Sequence, residues 1–97
     1  DDVDDQYSGF DFALQQNSPN PYRQETNIGY FLPSDMNVTV VVTDVRGRHL
    51  RTYEQNGTVG YNMLTVTKEE LGGATGVLTY TITADGWTAS RRMVVLD

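Results

Sequence analysis

Apolar side chains in this chain return at every second position: Ile28, Tyr30 and Leu32, then Leu64 and Val66, then Leu78, Tyr80 and Ile82. A period of two places successive side chains on opposite sides of an extended backbone, and the three-to-four spacing of a helical stripe does not recur. The chain therefore reads as a series of short strands. Each must bury one face against another layer. With 97 residues and no cysteine, neither a disulfide framework nor a thiolate metal site can supplement the core. A domain of this size buries about 60–65% of its unfolded surface, which permits independent folding with a narrow margin.

Residues 26–32 form one expected strand, stopped by Pro33-Ser34-Asp35 because proline donates nothing to a ladder. Residues 38–45 are rich in valine and stay apolar on both faces through Val40, Val41 and Val42, the pattern of a central strand. Arg46-Gly47-Arg48 turns the chain, residues 49–55 return, and Asn56-Gly57 marks the next turn before a strand over 61–67. Lys68-Glu69-Glu70-Leu71 suits a single helical turn, and residues 72–76 a loop. The strands 77–84 and 88–96 meet across Asp85-Gly86, a dipeptide suited to a tight hairpin. With a first strand over 12–16, the expected fold is all-β, an immunoglobulin-like antiparallel β-sandwich of about seven strands; a barrel is the competing architecture.

The formal charge of −6 sits mostly at the start. Residues 1–11 hold five aspartates (Asp1, Asp2, Asp4, Asp5 and Asp11) and no lysine or arginine, leaving seven basic against eight acidic side chains, a net −1, over 12–97. Residues 1–11 accordingly read as an acidic linker from an upstream domain, and 12–97 as the folded domain. The cluster Asp1–Asp5 lacks the glycine and distal glutamate of a calcium loop, so a solvated linker is expected there. Scattered, balanced basic residues leave no electrostatic footprint for nucleic acid or an anionic membrane. No run approaches the roughly 20 apolar residues of a spanning helix, so membrane insertion is not expected. The start also lacks the basic and apolar regions of a signal peptide, which would lie outside this fragment.

Residues able to do chemistry are isolated. His49 is the sole histidine, without a second imidazole for a metal or an acid–base pair. Ser8, Ser18, Ser34 and Ser90 lack the Gly-x-Ser-x-Gly elbow of an activated nucleophile. Glu69 and Glu70 are adjacent, and neighbours on a helical turn do not face each other, so a solvated face is expected. Gly72, Gly73 and Gly76 lead into a strand with no following Lys-Ser/Thr, so they read as a connector and not a phosphate cradle. Trp87 and Tyr53 are the aromatics a glycan-binding module would use; cross-strand packing is the expected role of Trp87. Asn37-Val38-Thr39 and Asn56-Gly57-Thr58 match the glycosylation pattern by chance. No catalytic residue, cofactor or metal is expected.

A more specific signal lies in the order of short motifs. Leu14-Gln15-Gln16-Asn17-Ser18-Pro19-Asn20-Pro21-Tyr22 is followed by Thr26-Asn27-Ile28-Gly29-Tyr30-Phe31-Leu32-Pro33, then by Thr43-Asp44-Val45-Arg46-Gly47-Arg48, then by Gly60, then by Gly76-Val77-Leu78-Thr79-Tyr80, and last by Arg91-Arg92-Met93-Val94-Val95-Leu96. From residue 14 to the end this series resembles the type A C-terminal sorting domains of the Bacteroidetes type IX (Por) secretion system. The family-motif positions are Pro19, Asn20, Pro21, Asp44, Gly47, Arg48 and Gly76. The resemblance implies a domain recognised in the periplasm by an outer-membrane translocon and carried with an upstream cargo domain to the cell surface or beyond. It also implies a sortase-like peptidase that commonly removes such domains, with the cargo then released or attached to surface lipopolysaccharide. Recognition in the family centres on the last strand, so Arg91, Arg92, Met93, Val94, Val95 and Leu96 are the expected contact residues. Addition of a partner strand to their free edge is the expected mode. Two positions depart from the family: the final residue is Asp97 where many members end in or near lysine, and Leu78 stands where an aromatic is usual. A non-catalytic accessory module binding glycan or protein, or a scaffold of the flagellar hook-cap kind, are the alternatives.

Overall fold

A computed structural model describes residues 11–97; Asp1–Asp5, considered above for calcium, and all of the expected linker except Asp11 lie outside the described residues. Seven strands follow in order: β1 (Ala13–Leu14), β2 (Glu25–Leu32), β3 (Met36–Thr43), β4 (His49–Gly57), β5 (Gly60–Thr67), β6 (Gly76–Ala84) and β7 (Trp87–Val95). One sheet has the order β1-β2-β5 and the other β4-β3-β6-β7, every pairing antiparallel. The two layers form the sandwich expected from the alternation. Ile28, Tyr30, Leu32, Leu64 and Val66 of the first sheet meet Val38, Val40, Val42, Leu78, Tyr80, Ile82, Met93 and Val95 of the second, all buried. A 3₁₀ turn, Glu69–Leu71, closes the end of β5 and buries Leu71.

The hairpin between β6 and β7 has the two-residue loop expected: Asp85 at φ 47° and Gly86 at φ 82° give the primed turn whose twist matches its flanking strands. β3 lies between β4 and β6, the central position its valines lead one to expect, with Val41 half-exposed between Thr52 and Thr81 on the outer face, which no third layer covers. One local reading needs correction. Gly57 belongs to β4, opposite Met36, and the turn falls at Thr58-Val59. A Cβ at Gly57 would strike Leu32 Cδ1 and lie 3.1 Å from the Met36 carbonyl oxygen, so this glycine serves close packing between the layers.

Four tyrosines tie the layers together, and burial raises the pKa of each hydroxyl, that of Tyr22 to about 12. Three have partners: Tyr30 donates to Gln55 Oε1, Tyr53 to Glu70 Oε1 at 2.8 Å, and Tyr80 to the Gln15 carbonyl at 2.8 Å. The Tyr22 hydroxyl has none, although the residue is only 2% exposed. A buried hydroxyl without a partner costs about 1–3 kcal/mol. Tyr22→Phe is therefore expected to keep or raise the unfolding midpoint in urea, whereas the same change at a partnered tyrosine lowers it.

Candidate functional site

The terminal strand β7 has two faces. Met93 and Val95 point into the core, while Arg92 and Val94 point outward, opposite Thr79 and Val77 of β6. Sheet order makes β7 an edge strand, the free margin expected to accept a partner. That margin is already covered by the chain's own lead-in. The Val94 carbonyl accepts from Tyr22 N (3.0 Å), Leu96 N donates to the Tyr22 carbonyl (2.8 Å), and Val94 N donates to Asn20 Oδ1 (2.9 Å). Gln16 Nε2 donates to the Arg92 carbonyl at 2.6 Å, and Arg91 Nε to the Leu14 carbonyl at 2.7 Å. Of the expected row of unpaired backbone groups over 92–96, the Arg92 carbonyl, both groups of Val94 and Leu96 N are thus taken. Proline has no N–H, so Pro19 and Pro21 cannot run a regular ladder. The chain bends over Pro19-Asn20-Pro21, the Ser18-Pro19 and Asn20-Pro21 peptide bonds being cis, and Asn20 and Tyr22 make the edge contacts instead. Lys68 Nζ (3.0 Å) holds the Leu96 carbonyl, and Arg23 that of Asp97.

Beside the outward face of β7 lies the loop between β3 and β4, built by one carboxylate. Asp44 Oδ1 accepts from Arg46 N and Arg48 N, each at 2.9 Å, and Asp44 Oδ2 accepts from Arg48 Nε at 2.8 Å. Gly47 closes the turn at φ 81°, a conformation that disfavours any Cβ, and its N–H donates to the Asp44 carbonyl. The bonds from Arg48 lower the pKa of the Asp44 carboxyl. This self-satisfied clasp holds Val45 out at 78% exposure, next to Val77 at 41%. Shallow clefts on either side of the loop share Asp44, Val45 and Val77; one reaches Arg92 and the other Gly76 and Arg48.

The structure therefore gathers Asp44, Gly47, Arg48 and Gly76 with Arg92 and Val94 at one pole of the sandwich. Pro19, Asn20 and Pro21 lie along the β7 margin, Met93 and Val95 in the core, and Arg91 beneath the margin against β1. Val45 and Val77 escaped the sequence reading because an isolated valine carries no signal of exposure. The lead-in's role had one clue, an asparagine between two prolines.

The remaining candidates are occupied elsewhere. Trp87 is half-buried and stacked on Phe12, ring centroids 4.7 Å apart at 21°. Tyr53 is half-buried, with the Arg51 guanidinium 5.5 Å from its ring centroid. Glu70 is no solvated partner of Glu69: it caps Thr67 N and accepts from Tyr53, and the Tyr53 bond is the first cause of its lowered pKa. His49 is exposed, its Nε2 2.6 Å from Thr52 Oγ1. Among the described residues no group of three or more His, Asp or Glu converges, and no helix is long and apolar enough to cross a membrane.

No family model matches the chain, and no curated protein matches it. Among solved structures, that of dimeric latent PorU from Porphyromonas gingivalis is similar, with a TM-score of 0.69 and 20% sequence identity over 89% of this chain. The match spans 9% of PorU, so a small part of that longer protein shares this fold.

Proposed function

We propose that this chain is a non-catalytic C-terminal sorting domain that directs an upstream cargo across the outer membrane by the type IX route, after which sortase-like machinery removes it. One observation carries the reading: the motif residues Asp44, Gly47, Arg48 and Gly76 share a pole with the two outward side chains of the terminal strand, Arg92 and Val94. Motifs far apart in sequence thus border one accessible surface. The likeness in fold to part of PorU, a protein named for the Por route, supports it. Recognition on this reading uses the outer face of β7 and the Asp44 clasp, since the strand's margin is filled by residues 16–22.

Deleting residues 91–97 is not a clean test, because it removes Met93 and Val95 from the core as well. The discriminating variant is Arg92→Glu with Val94→Asp, in a passenger fused upstream and expressed in a type IX-competent host. Export is expected to fall about tenfold or more, the loss that about 1.4 kcal/mol of recognition free energy produces, with the thermal melt of the domain unchanged. Undiminished export of this folded variant would overturn the proposal.

A further inference from the structure

The sandwich has four strand edges, and they are not equally guarded. The β1 edge is two residues long. The β4 edge carries His49, Arg51 and Glu54 and a register shift opposite Val42/Thr43. The β7 margin is covered over 92–96. The fourth, β5, has the sequence GYNMLTVT, without a charge or a proline, and pairs with β2 in one unbroken register. Charges, prolines, bulges and covering segments are the usual protections of an edge; β5 has none of them over 60–66.

The direction of its backbone groups follows from its neighbours. Lys68 N donates to the Gln24 carbonyl, which extends the β2–β5 register by one hydrogen-bonded pair. Antiparallel ladders alternate, so the even residues of β5 bond to β2 and the odd ones, Tyr61, Met63 and Thr65, aim N–H and C=O away from the sheet. Consistent with this, Thr67 N is met from outside by Glu70 Oε1. Among the described residues nothing meets the backbone groups of Tyr61, Met63 and Thr65. The Tyr61 ring folds back over Gly29, where a Cβ would be 2.8 Å from it, and lies edge-on to Phe31 at 5.4 Å. It leaves the approach to the edge open, with Met63 standing at 51% exposure.

We propose that this edge pairs with the same edge of a second copy, β5 against β5 about a two-fold axis through Met63, joining two three-stranded sheets into one. The occupant is argued from the strand's own symmetry. Antiparallel pairing centred on Met63 sets Met63 opposite Met63, and Tyr61 opposite Thr65 on either side, each an outward-facing pair able to exchange both backbone bonds. No charged residue of β5 meets its like across the seam. The outward side chains form a continuous strip of Tyr61 and Met63 from both copies. This inference is independent of the export reading.

Sedimentation of the wild-type chain tests it together with Met63→Lys, which sets two ammonium groups on the axis. The wild type is expected to dimerise, and Met63→Lys to weaken dimerisation at least about tenfold, its melting curve reporting that the exposed substitution keeps the fold. Because the chain has no cysteine, Met63→Cys gives a second readout. A hydrogen-bonded antiparallel pair has Cα atoms about 5.5 Å apart, within disulfide reach, so mild oxidation is expected to link this variant faster than Thr83→Cys on the other sheet. A wild type that stays monomeric to about 1 mM, the weak end of specific association, overturns the proposal and leaves the edge to a foreign strand or to solvent. Equal cross-linking of the two cysteine variants overturns it as well.

Discussion

Tyr80→Phe is expected to destabilise the chain by about 1–3 kcal/mol, and Tyr80→Ala by about 3–5 kcal/mol or more, a large share of its total stability. The side chain is fully buried at the centre of β6, and its hydroxyl links that strand to the lead-in. It accepts from Asn17 N (2.9 Å) while donating to the Gln15 carbonyl (2.8 Å). Removing the oxygen orphans a donor and an acceptor together. Asn17 is itself buried, and its side chain donates to Thr26 Oγ1 (3.0 Å) and the Pro19 carbonyl (3.2 Å). The damage therefore spreads into the segment covering β7. Truncation to alanine adds a cavity, and aromatic-to-alanine changes in cores cost about 3–5 kcal/mol. A chain of this length holds about 5–15 kcal/mol in all. Urea denaturation of wild type, Tyr80→Phe and Tyr80→Ala checks the order. A phenylalanine variant as stable as wild type would show that the two bonds contribute nothing net.

The second large effect separates two residues adjacent in sequence. Met93→Ala is expected to cost about 2–5 kcal/mol because it empties a fully buried position between the sheets. Arg92→Glu, one residue earlier and on the solvent face, should change stability by no more than about 0.5 kcal/mol. Export on the proposed reading has the opposite dependence. Arg92→Glu lowers transport of a fused passenger while the domain stays folded, and Met93→Ala acts only to the extent that it unfolds the domain. Measuring melting temperature and export for both variants separates recognition from scaffolding within one strand. Equal losses of export, each tracking stability, would remove any special role for the outer face of β7.

What the sequence makes legible follows from how local the physics is. Asp85-Gly86 needs only its own two backbones to adopt positive φ, so the β6–β7 hairpin could be placed from the dipeptide. The alternation of Leu78, Tyr80 and Ile82 sorts inward from outward within one strand. Gly57 misled because Asn-Gly is a turn signal on its own, whereas the reason for this glycine is Leu32 arriving from a strand distant in sequence. The closed margin of β7 was illegible for the same reason. Asn20 and Tyr22 reach Val94 across more than seventy residues, and nothing near residue 94 announces them. Motif order located the loop at Asp44 and the last strand, but only the register of Val77 against Val94 made them neighbours.

The lacing of residues 16–22 along β7 fixes the tip of the sandwich at which the described fold begins. Tyr22 runs parallel to Val95, so tracing the chain backwards leads away from the Asp44 clasp, past Leu14 beside Arg91, to Phe12 stacked on Trp87. On the proposed reading, the path to an upstream cargo therefore leaves the described fold at the opposite tip, about 25–30 Å from the clasp by the rise of a nine-residue strand. A bulky passenger would trail behind the sandwich and leave its leading end unobstructed.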